Sequence, residues 1–166
     1  MSARLYVAYN AVTTALTAPM AATATSASTS TPKTILQIAP GSHIQVIEAG
    51  YMFTSVPSAP VTMELIETGS VFATVTAGSI SNYNAPTGQA SAATTGTSAT
   101  GFNATNEGSI TATRLLAMTV DQSFYQKQQF PLDREPEVES GKSLRIRATP
   151  GSAAAVNVIC YVIWAE

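Results

Sequence analysis

The sequence predicts an all-β protein: an antiparallel, jelly-roll-like β-sandwich with an extended N-terminal arm and one long neutral loop. Three features carry that expectation. Polar and apolar residues alternate with a period of two through several segments, as strands buried on one face require. Clusters of glycine, proline and serine separate those segments and supply the backbone angles that reverse the chain. A sustained apolar stripe at helical spacing is missing, and residues 111–118 are the one ambiguous stretch.

Along the chain, residues 34–38 form a first short strand candidate. The run HIQVIEAGYMF at 43–53 is rich in β-branched and aromatic side chains and is interrupted only by Gly50. In VTMELIET at 61–68, Val61, Met63 and Leu65 face one way and Thr62 and Glu64 the other. Residues 70–75, 111–120 and 123–130 are shorter or weaker candidates. KSLRIRA at 142–148 sets Leu144, Ile146 and Ala148 on a core face and Ser143, Arg145 and Arg147 on an outward one. AAVNVICYVIW at 154–164 is apolar on both faces. Val156, Val158, Cys160, Val162 and Trp164 form one row, and Ile159, Tyr161 and Ile163 the other. Such a strand is central, or covered on its second face. Turns fall at 40–42, 57–60, 68–70, 140–142 and 149–152, and short strands at this spacing read as a sandwich.

A chain of 166 residues is most simply one domain, large enough to fold without a disulfide or a metal. Charged residues make up 11%, against about 25% in an average domain. The formal charge of −2 leaves no basic field to neutralise phosphates, so no nucleic-acid partner is expected. No apolar run is long enough for a membrane span. Cys160 is the lone cysteine, so no intrachain disulfide is expected. The uncharged run after Arg4 has the outline of a secretory leader, but Asn10, Thr13, Thr14 and Thr17 interrupt it, and none is expected.

Two tracts do not fit a compact core. Residues 1–31 read as an extended low-complexity arm, and residues 32–166 as the sandwich, with a long loop inserted at about 77–106. Residues 68–106 carry no charge at all. Small side chains bury little area, and at ~25 cal/mol per Å² they do not easily offset ~1–2 kcal/mol per residue of backbone entropy. Both tracts are therefore expected to be mobile in an isolated chain and to order against neighbouring subunits.

The candidates for chemistry are few. Asp133, Glu135, Glu137 and Glu139 recur at every second position, and carboxylates suit a hard cation. Pro131 and Pro136 disturb the ladder and Arg134 sits inside the run, so a solvated loop or sheet edge is expected instead. His43 is the only histidine and stands at a turn. Cys160 lies in the apolar row as an inert core thiol. Motifs for nucleophilic, metal or nucleotide chemistry are missing. Glu48, Glu64 and Glu67 are acids on strand faces, a weak signal for glycoside chemistry. No catalytic residue, cofactor or metal is expected. Tyr51, Tyr83, Phe102, Tyr125 and Trp164 are the aromatic pool for sugar binding. Tyr83 and Phe102, in the neutral loop, are candidates to anchor in a partner's pocket.

The C-terminal third carries a resemblance. It includes Phe130, Pro131, Leu132, Arg134 and Glu135, then Gly141, Leu144, Arg145, Ile146 and Arg147. It ends with Val156, Asn157, Val158, Tyr161, Trp164 and Glu166. These residues resemble the end of a family of small proteins encoded among the head genes of tailed bacteriophages and prophages, and residues 46–68 resemble that family's earlier strand pair. The likeness covers about half the chain and departs at Asp133, where the family often has glycine, and in the long threonine-, alanine- and glycine-rich insert. It implies a virion protein on the capsid exterior, a decoration or cement protein, made in the host cytoplasm. The implied partners are the major capsid protein and other copies of the chain, as a trimer. The contact candidates in that reading are Leu5, Tyr6, Val7, Tyr9, Val12, Leu16 and Met20 in the arm, with Tyr83 and Phe102 in the loop. The alternative is a receptor- or carbohydrate-binding sandwich of a fibre or adsorption apparatus.

Overall fold

The computed structural model describes residues 3–14, 16–84, 88–120 and 125–166. Among them are thirteen strands and no helix. In chain order these are β1 (Leu5–Tyr9), β2 (Thr23–Ala24), β3 (Lys33–Ile38), β4 (Ile44–Phe53), β5 (Val61–Thr68), β6 (Thr74–Ala77) and β7 (Ile80–Asn82). They continue with β8 (Gly101–Asn106), β9 (Ala112–Val120), β10 (Gln126–Gln129), β11 (Glu137–Val138), β12 (Ser143–Thr149) and β13 (Asn157–Ala165). One sheet runs β10-β4-β13-β1-β7, with β11 also on β4 and β2 also on β13. The other runs β6-β8-β3-β12-β5-β9. Every strand pairing is antiparallel, and among the described strands no pair is consecutive in the chain.

The core lies between the sheets. From the first sheet it takes Tyr6, Val46, Phe53, Val158, Cys160, Val162 and Trp164, and from the second Ile38, Val61, Met63, Leu144 and Ile146, all buried. The period-two reading therefore holds for β4, β5, β12 and β13. The two strands of residues 46–68 do not pair with each other: β4 lies in one sheet and β5 in the other. The weak candidate at 70–75 is displaced, with β6 beginning at Thr74. The candidate at 123–130 appears as β10, and residues 123–124 lie outside the described residues.

The N-terminal tract is not an extended arm. Leu5–Tyr9 is a strand with both edges occupied, paired with β13 on one side and β7 on the other. Tyr6 and Ala8 are each 1% exposed. Asn10 continues the pairing with its side chain. Its Nδ2 donates to Val158 O at 2.8 Å and its Oδ1 accepts from Cys160 N–H at 2.7 Å. The chain leaves β13 after Asn10 and returns at Thr23, whose hydroxyl donates to Asn10 O at 3.0 Å. Residues 11–22 are thus an excursion closed at its base. The alternation of LYVAY carries the strand signal, but it stands at the head of an alanine- and threonine-rich run that hides it.

The described residues of the long neutral loop are also structured. Within it, β7 joins the first sheet and β8 the second, so this part of the chain crosses the sandwich twice. Buried polar groups hold it where bulky side chains are missing. Gln37, 0% exposed, accepts from Ala73 N–H at 2.9 Å and donates to Ala99 O at 2.7 Å. Thr100 Oγ1 accepts from Ala39 N–H at 2.9 Å. Glu166 accepts from Ser91 Oγ at 2.5 Å, Ala92 N–H at 2.8 Å and Trp164 Nε1 at 2.9 Å. Gly101 lets β8 lie close to β6, since a Cβ there would sit 2.2 Å from Thr76 O. Each such hydrogen bond is worth ~0.5–1.5 kcal/mol net, and together they offset the ordering entropy that side-chain area alone does not.

The outward face of β12 is covered rather than solvated. Arg145 is 0% exposed. Its guanidinium donates to Val71 O at 2.6 Å, Glu107 O at 3.0 Å and Ser143 Oγ at 3.1 Å, with the Glu107 carboxylate at 3.4 Å. Glu107 also accepts from Thr34 N–H and Thr34 Oγ1, both at 2.6 Å. Burial lowers the Arg145 pKa, and the Glu107 charge opposes that shift. The approach to β6 and the exit from β8 therefore clamp over this side chain.

A chain beginning at Ala11 is expected to lose cooperative unfolding, because it lacks Tyr6 and Ala8 and leaves one edge of β13 open. Thermal melts by circular dichroism check this. Leu16→Ala, at a side chain 92% exposed, should change stability by less than about 0.5 kcal/mol.

Candidate functional site

The groups with catalytic potential are dispersed. Cys160 is fully buried in the core, and burial pushes its thiol pKa up. His43 Nε2 lies 3.3 Å from Glu137 Oε2 at the surface. Of the four alternating acids, Asp133 occupies a left-handed turn with φ 64°. Glu135 accepts from Arg134 N–H at 3.1 Å, Glu137 lies on β11, and Glu139 pairs with Lys142 at 3.3 Å. Among the described residues, no three His, Cys, Asp or Glu side chains gather to hold a metal ion. Glu64 is bound by Arg114 and, at 2.9 Å, by Arg147. Burial opposes its charge, but the two arginines outweigh burial and hold its carboxyl below the ordinary value.

The nine contact candidates separate into three groups. Tyr6 points into the core, its ring centroid 6.1 Å from that of Trp164, and it has no free face. Val12, Leu16 and Met20 lie on the excursion. Val12 is 56% exposed and Met20 is half-buried. Phe102, on β8, joins Val12 and Met20 around a concavity of about 570 Å³. Leu5, Val7 and Tyr9 face outward from the first sheet, where they pack with Ile47, Tyr161 and Ile163. Tyr83 stands beside this cluster. Its N–H donates to Leu5 O at 2.9 Å, and Leu5 N–H donates to Asn84 Oδ1 at 2.7 Å.

The third group is part of a site that sequence reasoning did not assemble. Tyr9, Tyr83, Tyr125 and Tyr161 line a concavity of about 420 Å³ on the outer face of the first sheet, with Glu48 and Lys127 among them and Tyr51, Met52, Ile159 and Ile163 completing it. Tyr125 and Tyr161 stack, with ring centroids 6.3 Å apart and an 8° interplanar angle. Tyr9 tilts against Tyr161 with centroids 5.7 Å apart. The Tyr161 hydroxyl donates to Glu48, and Lys127 Nζ lies 3.5 Å from the same carboxylate. Having given its one proton to Glu48, Tyr161 accepts from Tyr125, with which it is hydrogen-bonded.

Two backbone features make this arrangement possible. Gly50 pairs with Tyr161, and a Cβ there would meet the Tyr161 ring at 2.4 Å. The missing side chain lets the ring lie flat across β4. The register between β13 and β4 then skips Ile47, so that Ile163 faces Glu48 and Trp164 faces Val46. This bulge places Ile47 and Glu48 on the same outer face. Gly50 inside a strong strand was the available sequence signal, since a strand glycine marks close approach. The tyrosines give no signal of their own, because they come from four distant parts of the chain.

The phenols set an alkaline limit on stability. Burial raises the Tyr51 pKa to about 12, and its hydroxyl has no hydrogen-bond partner among the described residues. Tyr161 is also raised, first by burial and then by its bonds to Glu48 and Tyr125. Tyr9 is raised by burial with smaller contributions from Tyr125 and Tyr83. Unfolded phenols ionise near pH ~10. The folded state keeps its protons above that point, so stability present below pH ~10 is lost as pH rises further. Denaturant titrations between about pH 9 and about pH 11 should show this fall, and Tyr51→Phe should reduce its slope.

No family model, no curated protein and no solved structure matches the chain.

Proposed function

We propose that this chain is a structural virion protein that binds the outer surface of a tailed-phage capsid and bridges its subunits. The supporting observation is the excursion at residues 11–22. It has no charged residue, it exposes Val12 and Leu16, and its base is closed by the Asn10–Thr23 bond. Exposed apolar side chains grouped on one projection mark an interaction site, and holding the projection's ends reduces the entropy lost on docking. Having no charge, it docks without desolvating an ion.

The family resemblance supports the same reading. Most of its residues belong to the frame of the sandwich. Leu144, Arg145, Ile146 and Arg147 lie on β12, Tyr161 and Trp164 on β13, and Glu166 ties the neutral loop. In this reading the sandwich is jelly-roll-like, the partner is the major capsid protein, and other copies of the chain complete a trimer on the shell exterior. Weak contacts presented together on one assembly act by effective concentration, so modest affinities per copy give stable attachment.

The test is cosedimentation of the purified chain with shells of the phage that carries its gene, assembled without it. Wild-type protein should saturate the shells. A Val12→Asp, Leu16→Asp double variant should melt at the same temperature and bind at least about tenfold more weakly. Shells that pellet without wild-type protein would rule the reading out.

A further inference from the structure

We infer that the tyrosine-lined concavity on the outer face of the first sheet is a binding site for a neutral sugar ring. This goes beyond the capsid reading and does not depend on it. Size is the first consideration. About 420 Å³ falls within the range of small-molecule sites.

Charge narrows the ligand class. Among the described residues that line it, Glu48 is the one carboxylate and Lys127 the one cation, and they lie 3.5 Å apart. Together they leave the described lining neutral. A cationic ligand finds aromatic faces but a carboxylate already engaged by Tyr161 and Lys127. An anion finds one ammonium already paired, and the described strands offer it no second cation in the concavity. Neither charge class is matched.

Hydrogen-bonding capacity points to a polyol. Lys127 spends one direction on Glu48 and keeps further N–H donors. Tyr125 gives its proton to Tyr161, which leaves its oxygen as an acceptor at the rim. The hydroxyls of Tyr9 and Tyr83 have no partner among the described residues and both donate and accept. Free donors and acceptors thus surround exposed ring faces. A pyranose has the complementary pattern, with a C–H face to lie on a phenol ring and hydroxyls at its edge that each donate and accept. Exposure is suited to capture, since Tyr83 is 60% and Tyr125 53% exposed while Tyr161 beneath them is 8% exposed and fixed.

The test uses the purified full chain and a defined panel: glucose, galactose, mannose, N-acetylglucosamine, their common disaccharides, choline and inorganic phosphate. Binding is read by ligand-observed NMR and isothermal titration. At least one neutral sugar should bind saturably with a Kd in the range of roughly 0.1–10 mM. Tyr83→Ala and Tyr125→Ala alter half-exposed side chains at the rim, should leave a cooperatively melting fold, and should each weaken that binding by about tenfold. The inference is overturned if no sugar saturates at roughly 100 mM, or if sugar binding is unaltered in both variants. It is equally overturned if choline or phosphate, and no sugar, binds in a way the two variants abolish.

Discussion

The fold rests on β13, the last strand, which is hydrogen-bonded along both edges and buried on both faces. One edge carries β4; the other carries β1, extended by Asn10 and by β2. Its inner row, from Val158 to Trp164, faces the second sheet across the core. Its outer row holds Tyr161 and Ile163 against Val7. The strand that completes the sheet therefore finds its partners far off in the sequence, in β1, β2 and β4. With no described pair of neighbours in a sheet adjacent in sequence, contacts pay their loop-closure entropy before they are rewarded, and the topology is one that folds slowly.

A second constraint follows from composition. The chain has few large side chains to spend outside the core, so its alanine-, threonine- and glycine-rich tracts are fixed by buried polar groups. Gln37 holds both Ala73 and Ala99; Arg145 and Glu107 hold the approach to β6 and the exit from β8; Glu166 holds residues 91 and 92. Burying a guanidinium is tolerated here because each direction of its fork finds an oxygen. The same groups mark where the fold is brittle. Removing one partner leaves a buried donor or acceptor unmet, which costs more than the bond itself is worth.

These two constraints explain which parts of the molecule the sequence reveals. Strands β4, β5, β12 and β13 were legible because alternation or continuous apolarity is strong in them, while β3 was only a short candidate and β9 fell on the one stretch of ambiguous period. Strand β1 was obscured by the run that follows it. Strands β7 and β8 were obscured because serine, asparagine and glycine signal loop while their backbones pair. The outward reading of Arg145 failed because alternation identifies a second face without saying whether something covers it. The tyrosine concavity was the least legible feature. Tyr9 follows from β1, Tyr83 from the end of β7, Tyr125 from the approach to β10 and Tyr161 from β13, and only the order β10-β4-β13-β1-β7 brings them to one face.

Charge placement ties the two surfaces together. The few ionic groups are largely matched with one another: Glu64 with Arg114 and Arg147, Glu107 with Arg145, Glu67 and Glu139 with Lys142, Glu48 with Lys127, Glu137 with His43. Little net field is left to steer a partner from a distance. Recognition on such a surface depends on short-range contact, on apolar side chains at the excursion and on aromatic faces with unspent hydrogen bonds in the concavity. Both are held by the same strand pair, since β1 ends in Tyr9, which lines the concavity, and passes through Asn10 directly into the excursion. The β1–β13 ladder thus fixes the base of the projection and one wall of the concavity in one body, which reduces what has to be ordered at the moment of binding.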